Sequence, residues 1–557
     1  MLKMPEYIEL NTDVLIIGGG AAATEAAIHA VDAGVDVILI DKKKYGRSGD
    51  SGQHAAGMNS ASYLGIEGDN PEINLGDAVA CGKWMVNQKL AEALCEGINQ
   101  DKIFLKLENY GCLENRTQDG NLALSYSINR KRATAGYRLF NHAYEALRKG
   151  VKVFEHTMMT SLLIDSGEVV GATAIDIHTG QFYVFKAKST VLATGGVGLA
   201  VNGTLQNERT GDGHAAAYKV GAEFWNLEFR AMPFGCIYPS CLSRVPYLVM
   251  DVRSARDKDG VEFLRDIPQT EELSYSATYR DVKEVEKRIA AGKGSPHGGV
   301  YAQTAPTSVI PAIGLLARQG FDINKFEYNW TTVYDFGGLV INERAETTVE
   351  GLYACGEIAS NMGADYLPIR MFSHCITSGR WAGENAAHRA KKIRKQSSVK
   401  DIVDKEYQRV LEVLQRSHKK PLRVHEARQM IQETASRGCG PWRSHDKATA
   451  SLSKLSEIGK EILPRVYVRD KSIVCNMEWK EALEAFNMLI VAEMVTRAVL
   501  TRTESRGTHI REDYPYMDND NWLKSVYVKQ VNGKMTVTTR PVCVTKVVPP
   551  TGRVLWE

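Results

Sequence analysis

The hydrophobic pattern at the start of the chain predicts a strand, a glycine turn, a helix and a second strand. Val14 to Ile17 is a short apolar run, three glycines at 18–20 interrupt it, and Ala21 to Val31 is rich in small, helix-forming residues. A second β-branched run, Val35 to Ile40, ends at Asp41. This order and length are typical of the βαβ unit of a dinucleotide-binding fold.

Two later stretches predict further strand pairs. Apolar and polar positions alternate through Val151 to Ile164 and Val169 to Ile177, and Ser166-Gly167 between them favours a turn. Near the end of the chain the same pattern predicts three short strands at Val526 to Val528, Met535 to Thr538 and Val542 to Lys546.

The hydrophobic pattern changes in the middle of the chain, which predicts more than one domain. From Phe224 to Val333 the segments are short and mixed, and from Lys391 to Leu500 helical periodicity dominates. We therefore predict an α/β fold whose Rossmann-like nucleotide-binding domain comes in two parts. The expected divisions are nucleotide-binding domain 1–224 and 336–390, inserted α+β domain 225–335, helical domain 391–500 and C-terminal domain 501–557.

Composition narrows the class of protein. The 557 residues are 44% apolar, enough for several cores, and 69 basic against 66 acidic side chains leave a formal charge of +3. Without a long basic tract we expect no nucleic acid partner. No apolar run reaches the length of about 20 residues that a membrane-spanning helix needs, so we predict no direct membrane span. The start of the chain lacks the apolar stretch of a secretory signal, and no pair of the ten cysteines has the Cys-x-x-Cys spacing. These observations predict a cytoplasmic protein with no metal site of its own.

The glycine turn carries the first functional prediction. In the spacing Gly18-x-Gly20-x-x-Ala23, Gly18 permits a tight turn, Gly20 lets the backbone approach a diphosphate, and Ala23 allows close contact between helix and strand. The free amides at the helix N-terminus and the helix dipole favour an anion there. Asp41, at the end of the second strand, is placed to accept hydrogen bonds from ribose hydroxyls.

Three further glycine motifs indicate which dinucleotide is bound. Ala193 to Gly196 follows a strand, Thr210 to Gly213 opens a helix, and Gly351 to Glu357 repeats the strand-then-glycine pattern. One such loop is enough to hold NAD as a cosubstrate. Several distant backbone approaches fit an extended FAD instead.

The motifs in this order resemble the flavoprotein subunits of fumarate reductase and succinate dehydrogenase, with L-aspartate oxidase and the alpha chain of adenylylsulfate reductase as relatives. The likeness covers nearly the whole chain. It is carried by Gly18 to Gly20, Arg47 to Gly49, Ala56 to Asn59, Ala193 to Gly196, Thr210 to Gly213, Gly337 to Leu339, Gly351 to Glu357, and a C-terminal signature from Arg502 through Gly507, His509, Arg511 and Asp513 to Pro515 and Asn521 to Leu523.

The resemblance implies an FAD-binding domain with an inserted domain that caps the flavin. The residues expected to contact FAD are Gly18, Gly20, Ala22, Ala23, Asp41, Lys42, Ser48, Gly49, Gly57, Met58, Met159, Ala193, Thr194, Gly195, Asp212, Gly356, Glu357, Met371 and Phe372. The histidine that bonds covalently to FAD in some members falls near Gly49, and His54 is out of register. We therefore expect non-covalent FAD.

The resemblance also implies hydride transfer at flavin N5, with Arg280 in the Arg-Asp motif at 280–281 delivering the proton. An arginine has a pKa above about 12, so it can act as an acid only close to a developing carbanion in a site closed to water.

The substrate side departs from the family. Met232 and Val333 stand where the family has histidines, and Tyr366 stands where it has an arginine, with Arg370 one helical turn later. Because a buried carboxylate without a partner costs several kcal/mol, we expect a substrate other than fumarate or succinate. Its polar groups would meet Tyr366, Arg370, Arg253, Tyr334 and Arg230.

The sequence leaves three functions open. The first is a reductase or dehydrogenase acting on a carbon–carbon bond beside an activating group, with electrons exchanged through a separate ferredoxin-like iron–sulfur subunit. The second is an oxidase that uses oxygen directly, and the third is a flavin-bearing electron-transfer subunit without a substrate. Sulfur chemistry like that of adenylylsulfate reductase is a minor alternative.

Overall fold

A computed structural model of the chain describes residues 6–52, 64–66, 68–100, 102–114, 117–121, 124–127, 130–133, 136–199, 209–232, 234–238, 252–265, 279–304, 318, 320, 322–332, 334–365, 370–394 and 399–556. The helices are α1 Ala21–Asp32, α2 Pro71–Cys81, α3 Gln88–Gln100, α4 Ile103–Asn109, α5 Leu139–Arg148, α6 Asp212–Lys219, α7 Tyr279–Ala290, α8 Arg370–Ala390, α9 Lys400–Gln415, α10 Val424–Cys439, α11 His445–Glu457, α12 Met477–Thr501 and α13 Asn519–Trp522.

The strands are β1 Ile8–Ile17, β2 Val37–Ile40, β3 Leu113–Glu114, β4 Leu124–Ser127, β5 Arg130–Ala133, β6 Gly136–Tyr137, β7 Lys152–Phe154, β8 Thr157–Asp165, β9 Glu168–Asp176, β10 Phe182–Leu192, β11 Phe224–Trp225, β12 Phe234–Tyr238, β13 Val252–Arg256, β14 Glu262–Arg265, β15 Val300–Thr304, β16 Glu327–Trp330, β17 Gly338–Leu339, β18 Leu352–Ala354, β19 Trp442–Arg443, β20 Ile510–Arg511, β21 Tyr516–Asp518, β22 Lys524–Val531, β23 Lys534–Pro541 and β24 Arg553–Leu555.

A seven-stranded sheet forms the centre of the fold. Strands β7, β2, β1 and β10 are parallel neighbours, β18 pairs with the end of β10, and the antiparallel strands β9 and β8 extend the sheet. The register sets Ile17 opposite both Ile40 and Leu192, and Leu192 opposite Ala354. The residues that follow β1, β2, β10 and β18 therefore meet at one edge of the sheet, where open α/β sheets bind their ligands.

Small residues bring α1 and α8 into close contact on this sheet. A Cβ at Gly379 would lie 2.6 Å from the Ala22 carbonyl oxygen, and a Cβ at Gly383 would overlap the Ala26 carbonyl oxygen. The absence of these side chains lets the two helix backbones approach each other. As a result Gly379, in the middle of α8, lies beside Ala22 in the first turn of α1.

A buried polar cluster, the Glu25 cluster, ties α1 to three other helices. The Glu25 carboxylate is fully buried, and its Oε1 accepts hydrogen bonds from His29 Nε2 at 3.1 Å and Lys106 Nζ at 3.0 Å. Its Oε2 lies 2.9 Å from His142 Nε2, and His29 Nδ1 lies 3.0 Å from Glu384 Oε1. Burial by itself would raise the pKa of Glu25, but His142, His29 and Lys106 hold that pKa well below its ordinary value.

Three further groups of elements surround this sheet. Strands β12, β16, β15, β13 and β14 make a five-stranded antiparallel sheet in the inserted segment. Helices α10, α11 and α12 pack on one another, with α9 against α12. The C-terminal hairpin of β22 and β23 joins β11 and β17 in a four-stranded sheet.

The predicted α/β fold class is confirmed, including the helical and C-terminal parts. Ser166 and Gly167 form the turn between β8 and β9, with φ of 51° and 86°. The strand expected at Val542 to Lys546 was wrong. After Pro541 the backbone amides of residues 545 to 547 each donate to the Gln88 side-chain oxygen at 3.0 Å, so they are not available for a sheet.

Candidate flavin and substrate site

The glycine turn has the geometry that the sequence predicts. Gly18 has φ of +121°, and a Cβ there would overlap the Ala193 carbonyl oxygen, so only glycine fits. Gly20 is the N-cap of α1, with a φ of −77° that any residue can adopt, and the nearest atom to its would-be Cβ is Ser51 Oγ at 3.5 Å. Among the described residues, only Ser51 Oγ, which accepts a hydrogen bond from the Ala21 amide at 3.2 Å, lies near this expected diphosphate position.

Asp41 follows β2 and faces the glycine turn. Its carboxylate accepts a short hydrogen bond from Ser48 Oγ and another, of 3.1 Å, from the Lys43 amide. Burial raises the pKa of Asp41 to about 6, and these hydrogen bonds only partly oppose that shift. A Cβ on Gly19 would overlap the carboxylate, so Gly19 is a required residue that the sequence reasoning missed.

The next two glycine motifs also fit an extended ligand. Gly195 has φ of +70° and no atom within 4 Å of its would-be Cβ, and Thr194 Oγ1 is buried with no hydrogen-bond partner among the described residues. A Cβ on Gly213 would overlap this oxygen, so Thr194 Oγ1 faces α6, and its contact with FAD stays a prediction. Across the cleft, a Cβ on Gly356 would lie 2.8 Å from Ala22 Cβ, so this turn abuts the start of α1.

Lys42 and Asp212, both expected to contact FAD, form an ion pair with each other. Lys42 Nζ donates to Asp212 Oδ2 at 2.7 Å, to Thr210 Oγ1 at 2.9 Å and to Glu484 Oε1 at 2.8 Å. Burial would lower the pKa of Lys42, but Asp212 and Glu484 outweigh it and raise that pKa. Lys42 and Asp212 thus fix α6 and α12 beside the sheet edge, and their contact with FAD stays a prediction.

A second buried charged group, the Arg209 cluster, lies between the glycine motifs. Arg209 Nη1 lies 3.1 Å from Asp50 Oδ2, and Nη2 donates a short hydrogen bond to Glu357 Oε1. Asp335 Oδ2 is 3.7 Å from the same Nη2, while Asp335 Oδ1 accepts from Arg230 Nε at 2.7 Å. Burial raises the pKa of Glu357 to about 8. The sequence reasoning missed Arg209, since its partners come from three other segments.

Other expected FAD residues line the surrounding core. Met159 is buried in β8 opposite Ala174, and Met371 and Phe372 lie in the first turn of α8. The Phe372 ring centroid is 4.5 Å from that of Tyr137. Gly49 has φ of +64°, and its would-be Cβ would lie 3.9 Å from Gly20 Cα. Ala23 is fully buried in α1, as helix–strand contact requires. Gly57 and Met58 lie outside the described residues.

On the substrate side the structure brings Tyr334 and the start of α8 together. Tyr334 packs in one apolar cluster with Met371, and Arg370 precedes Met371 and is buried. Arg230 does not join them. It is 1% exposed, and besides its bond to Asp335 it donates a short hydrogen bond to the Val197 carbonyl oxygen.

The inserted segment contributes the two other candidate arginines. Arg253 is the second residue of β13 and Arg280 the second residue of α7, and their side chains lie outside what the structure describes. Tyr366 also lies outside the described residues. Met232 is buried at the end of the segment that leads into the inserted sheet.

The glycine turn, the acidic residue after β2 and the glycine motifs at the same sheet edge define an FAD-binding protein, and comparison with known proteins agrees. Residues 13–366 match the FAD binding domain family, and residues 428–555 match the family described as fumarate reductase flavoprotein C-term. The chain belongs to the FAD-dependent oxidoreductases of the fumarate reductase and succinate dehydrogenase flavoprotein family.

Individual relatives cover nearly the whole chain. An uncharacterized FAD-dependent oxidoreductase of Methanocaldococcus jannaschii is 30% identical, over 93% of this chain and 96% of its own length. A fumarate reductase (CoM/CoB) subunit of Methanothermobacter marburgensis is 28% identical, over 93% and 97%. Among solved structures, Sdh1 of Mycobacterium smegmatis superposes with a TM-score of 0.85 at 26% identity, covering 97% of this chain and 96% of its own. The resemblance drawn from the sequence is thus confirmed, as is FAD.

Two features are absent from the residues that the structure describes. None of their helices combines the length and apolarity that a bilayer crossing needs. Within the same residues, no group of three or more His, Cys, Asp or Glu side chains is arranged to hold a metal ion.

Proposed function

We propose that this FAD-dependent oxidoreductase transfers a hydride between flavin N5 and a carbon–carbon bond of a small activated substrate other than fumarate or succinate. Bound FAD supplies the hydride acceptor or donor. The cleft between the glycine turn and α8 would hold it non-covalently, with Asp41 at the ribose and the α1 amides at the diphosphate.

The substrate proposal rests on the contacts that the Arg230 side chain makes within the protein. A dicarboxylate needs a cationic or hydrogen-bonding group at each end, because each buried carboxylate without one is costly. Arg230 is held by Asp335 and the Val197 carbonyl, and Met232 offers no hydrogen-bond donor. We propose that Arg370, in the first turn of α8, and Tyr334, which packs with Met371, contact the substrate instead. They suit a molecule with one carboxylate or an enone carbonyl.

Arg280 is the proposed proton donor, with Arg253 and Tyr366 as further substrate contacts. Its backbone position on α7 puts it in the inserted segment, which in this proposal closes over the flavin. We further propose that electrons pass through a separate iron–sulfur subunit. The fumarate reductase relative of Methanothermobacter marburgensis is itself named as one subunit of its enzyme, which supports this arrangement.

The test is anaerobic reoxidation. The flavin of the purified protein is reduced with dithionite, and unsaturated acids, enones, fumarate and adenylylsulfate are screened for their ability to reoxidise it. An unsaturated monocarboxylate or enone should react faster than fumarate. Fumarate as the best substrate would contradict the proposal, and fast reoxidation by air alone would favour an oxidase.

An Arg280→Ala substitution should abolish substrate-driven reoxidation without releasing FAD, because it removes the proton donor and leaves the cofactor cleft intact. The matched control is Arg256→Ala, since Arg256 lies on the neighbouring inserted sheet with its side chain 44% exposed. Full activity in the Arg280 variant would refute its role as proton donor.

A further inference from the structure

Arg209 is a buried cation whose partners come from different walls of the cofactor cleft. Its side chain is 6% exposed, and it contacts Asp50 in the loop after Gly49 and Glu357 directly after Gly356. A Cβ on Gly196 would overlap the guanidinium. The Arg209 guanidinium therefore fits here because Gly196, in the glycine motif after β10, has no side chain.

The neighbours of Arg209 fix its position along the cleft. Ser51, the residue after Asp50, accepts a hydrogen bond from the Ala21 amide at 3.2 Å, so Asp50 lies just past the diphosphate turn. Asp41, at the expected ribose position, contacts Ser48 before that turn. An FAD that begins at Asp41 and crosses the α1 amides would thus reach Arg209 with its flavin end.

Asp335 places the same arginine close to the inserted segment. Its backbone pairs with that of Arg230, and the Ala231 amide donates to the Tyr334 carbonyl oxygen at 2.8 Å. Arg209 therefore lies on the side of the cleft where the proposed substrate residue Tyr334 is found. The inserted segment, which in the proposed function closes over the flavin, therefore lies beside this cation.

The charge of Arg209 is retained in this environment. Burial would lower its pKa, but Asp50, Glu357 and Asp335 outweigh burial and raise that pKa. Burial raises the pKa of Glu357, and the neighbouring Arg209 opposes that shift. Arg209 and Arg230 lie among three carboxyl groups, those of Asp50, Asp335 and Glu357. Any negative charge that develops nearby meets a fixed cation in a low-dielectric surrounding.

We propose that Arg209 is a positioning residue for the flavin. Its guanidinium stabilises reduced FAD more than oxidised FAD and so raises the reduction potential of the bound cofactor. Two electrons and one proton convert FAD into the anion FADH⁻, and the added charge is what a nearby guanidinium favours. The inference deepens the proposed function, since it assumes that the flavin lies at this end of the cleft.

The experiment measures the two-electron midpoint potential of the bound FAD by anaerobic titration with a reference dye, together with the affinity for oxidised FAD. Arg209→Gln should weaken binding of reduced relative to oxidised FAD about tenfold, which lowers the potential by about 30 mV. Arg209→Lys, which keeps the charge, should recover most of that shift. Asp50→Asn removes an opposing charge and should move the potential upward.

The matched control is Arg511→Gln, because Arg511 is also fully buried and paired, with Asp513 at 2.7 Å, but in the C-terminal signature. Its potential should equal that of the parent protein. These measurements need no substrate, so failure of the substrate screen would not affect them.

Three results would overturn the inference. One is an unchanged potential in Arg209→Gln, and another is an equal loss of affinity for both redox states, which would place Arg209 at the diphosphate. If Arg209→Gln does not retain FAD, the potential of Asp50→Asn is measured instead. The third overturning result is an unchanged or lower potential in that variant.

Discussion

A Gly20→Val substitution separates FAD binding from the stability of the fold. In the FAD-free protein the new Cβ would meet only Ser51 Oγ at 3.5 Å, and φ of −77° suits valine. The free energy of unfolding should therefore fall by about 1 kcal/mol or less. The side chain would, however, stand between the α1 amides and the diphosphate. Losing one hydrogen bond to a charged group costs about 1.5–3 kcal/mol, a 10- to 100-fold weaker affinity for FAD.

The matched comparison is Gly18→Ala, two residues earlier in the same turn. At φ of +121° an alanine is strained by about 1–3 kcal/mol, and its Cβ would also overlap the Ala193 carbonyl oxygen. This variant should lose stability even without FAD. Urea unfolding of the FAD-free proteins and FAD titration followed by flavin fluorescence measure the two effects. If Gly20→Val binds FAD like the parent, or destabilises the FAD-free protein as much as Gly18→Ala, the proposed diphosphate position is wrong.

Two predictions concern titratable groups. Glu25→Gln should lower the free energy of unfolding by about 3 kcal/mol at pH 7, as for a broken buried ion pair. Because the folded pKa of Glu25 lies below its ordinary value of 4.5, this contribution is present above pH 4.5 and is lost as pH falls through the lower folded pKa. A gap that persists unchanged in acid would contradict it. The affinity for FAD should fall as pH drops below about 6, because ribose hydroxyls donate to the ionised Asp41. Calorimetric titration of Asp41→Asn should show no such dependence, and a parent-like pH profile in that variant would refute the assignment.

Local signals explain why the glycine turn could be predicted. The positive φ at Gly18 and the turn at Ser166 and Gly167 are typical of short sequence patterns that contain glycine, and apolar periodicity predicted the strands β1 and β2. Asp41 followed from its spacing alone. These parts need little information from the rest of the chain.

Distant pairings explain what could not be predicted. Arg209 and Glu357 are 148 residues apart, and Lys42 and Asp212 are 170 apart, so only the folded chain brings them together. Gly379 likewise matters because of Ala22 on another helix. The strand expected after Pro541 failed for the same reason, since Gln88 from the first part of the chain takes its amides.

The pairing of β22 with β11 sets the order in which this protein can mature. During synthesis, Phe224 and Trp225 leave the ribosome long before Tyr527 and Val528, their partners in the four-stranded sheet. Until those last strands arrive, the edge of β11 that β22 covers remains open to other chains. A stop codon near Thr501 would therefore leave this edge of β11 uncovered in the truncated product.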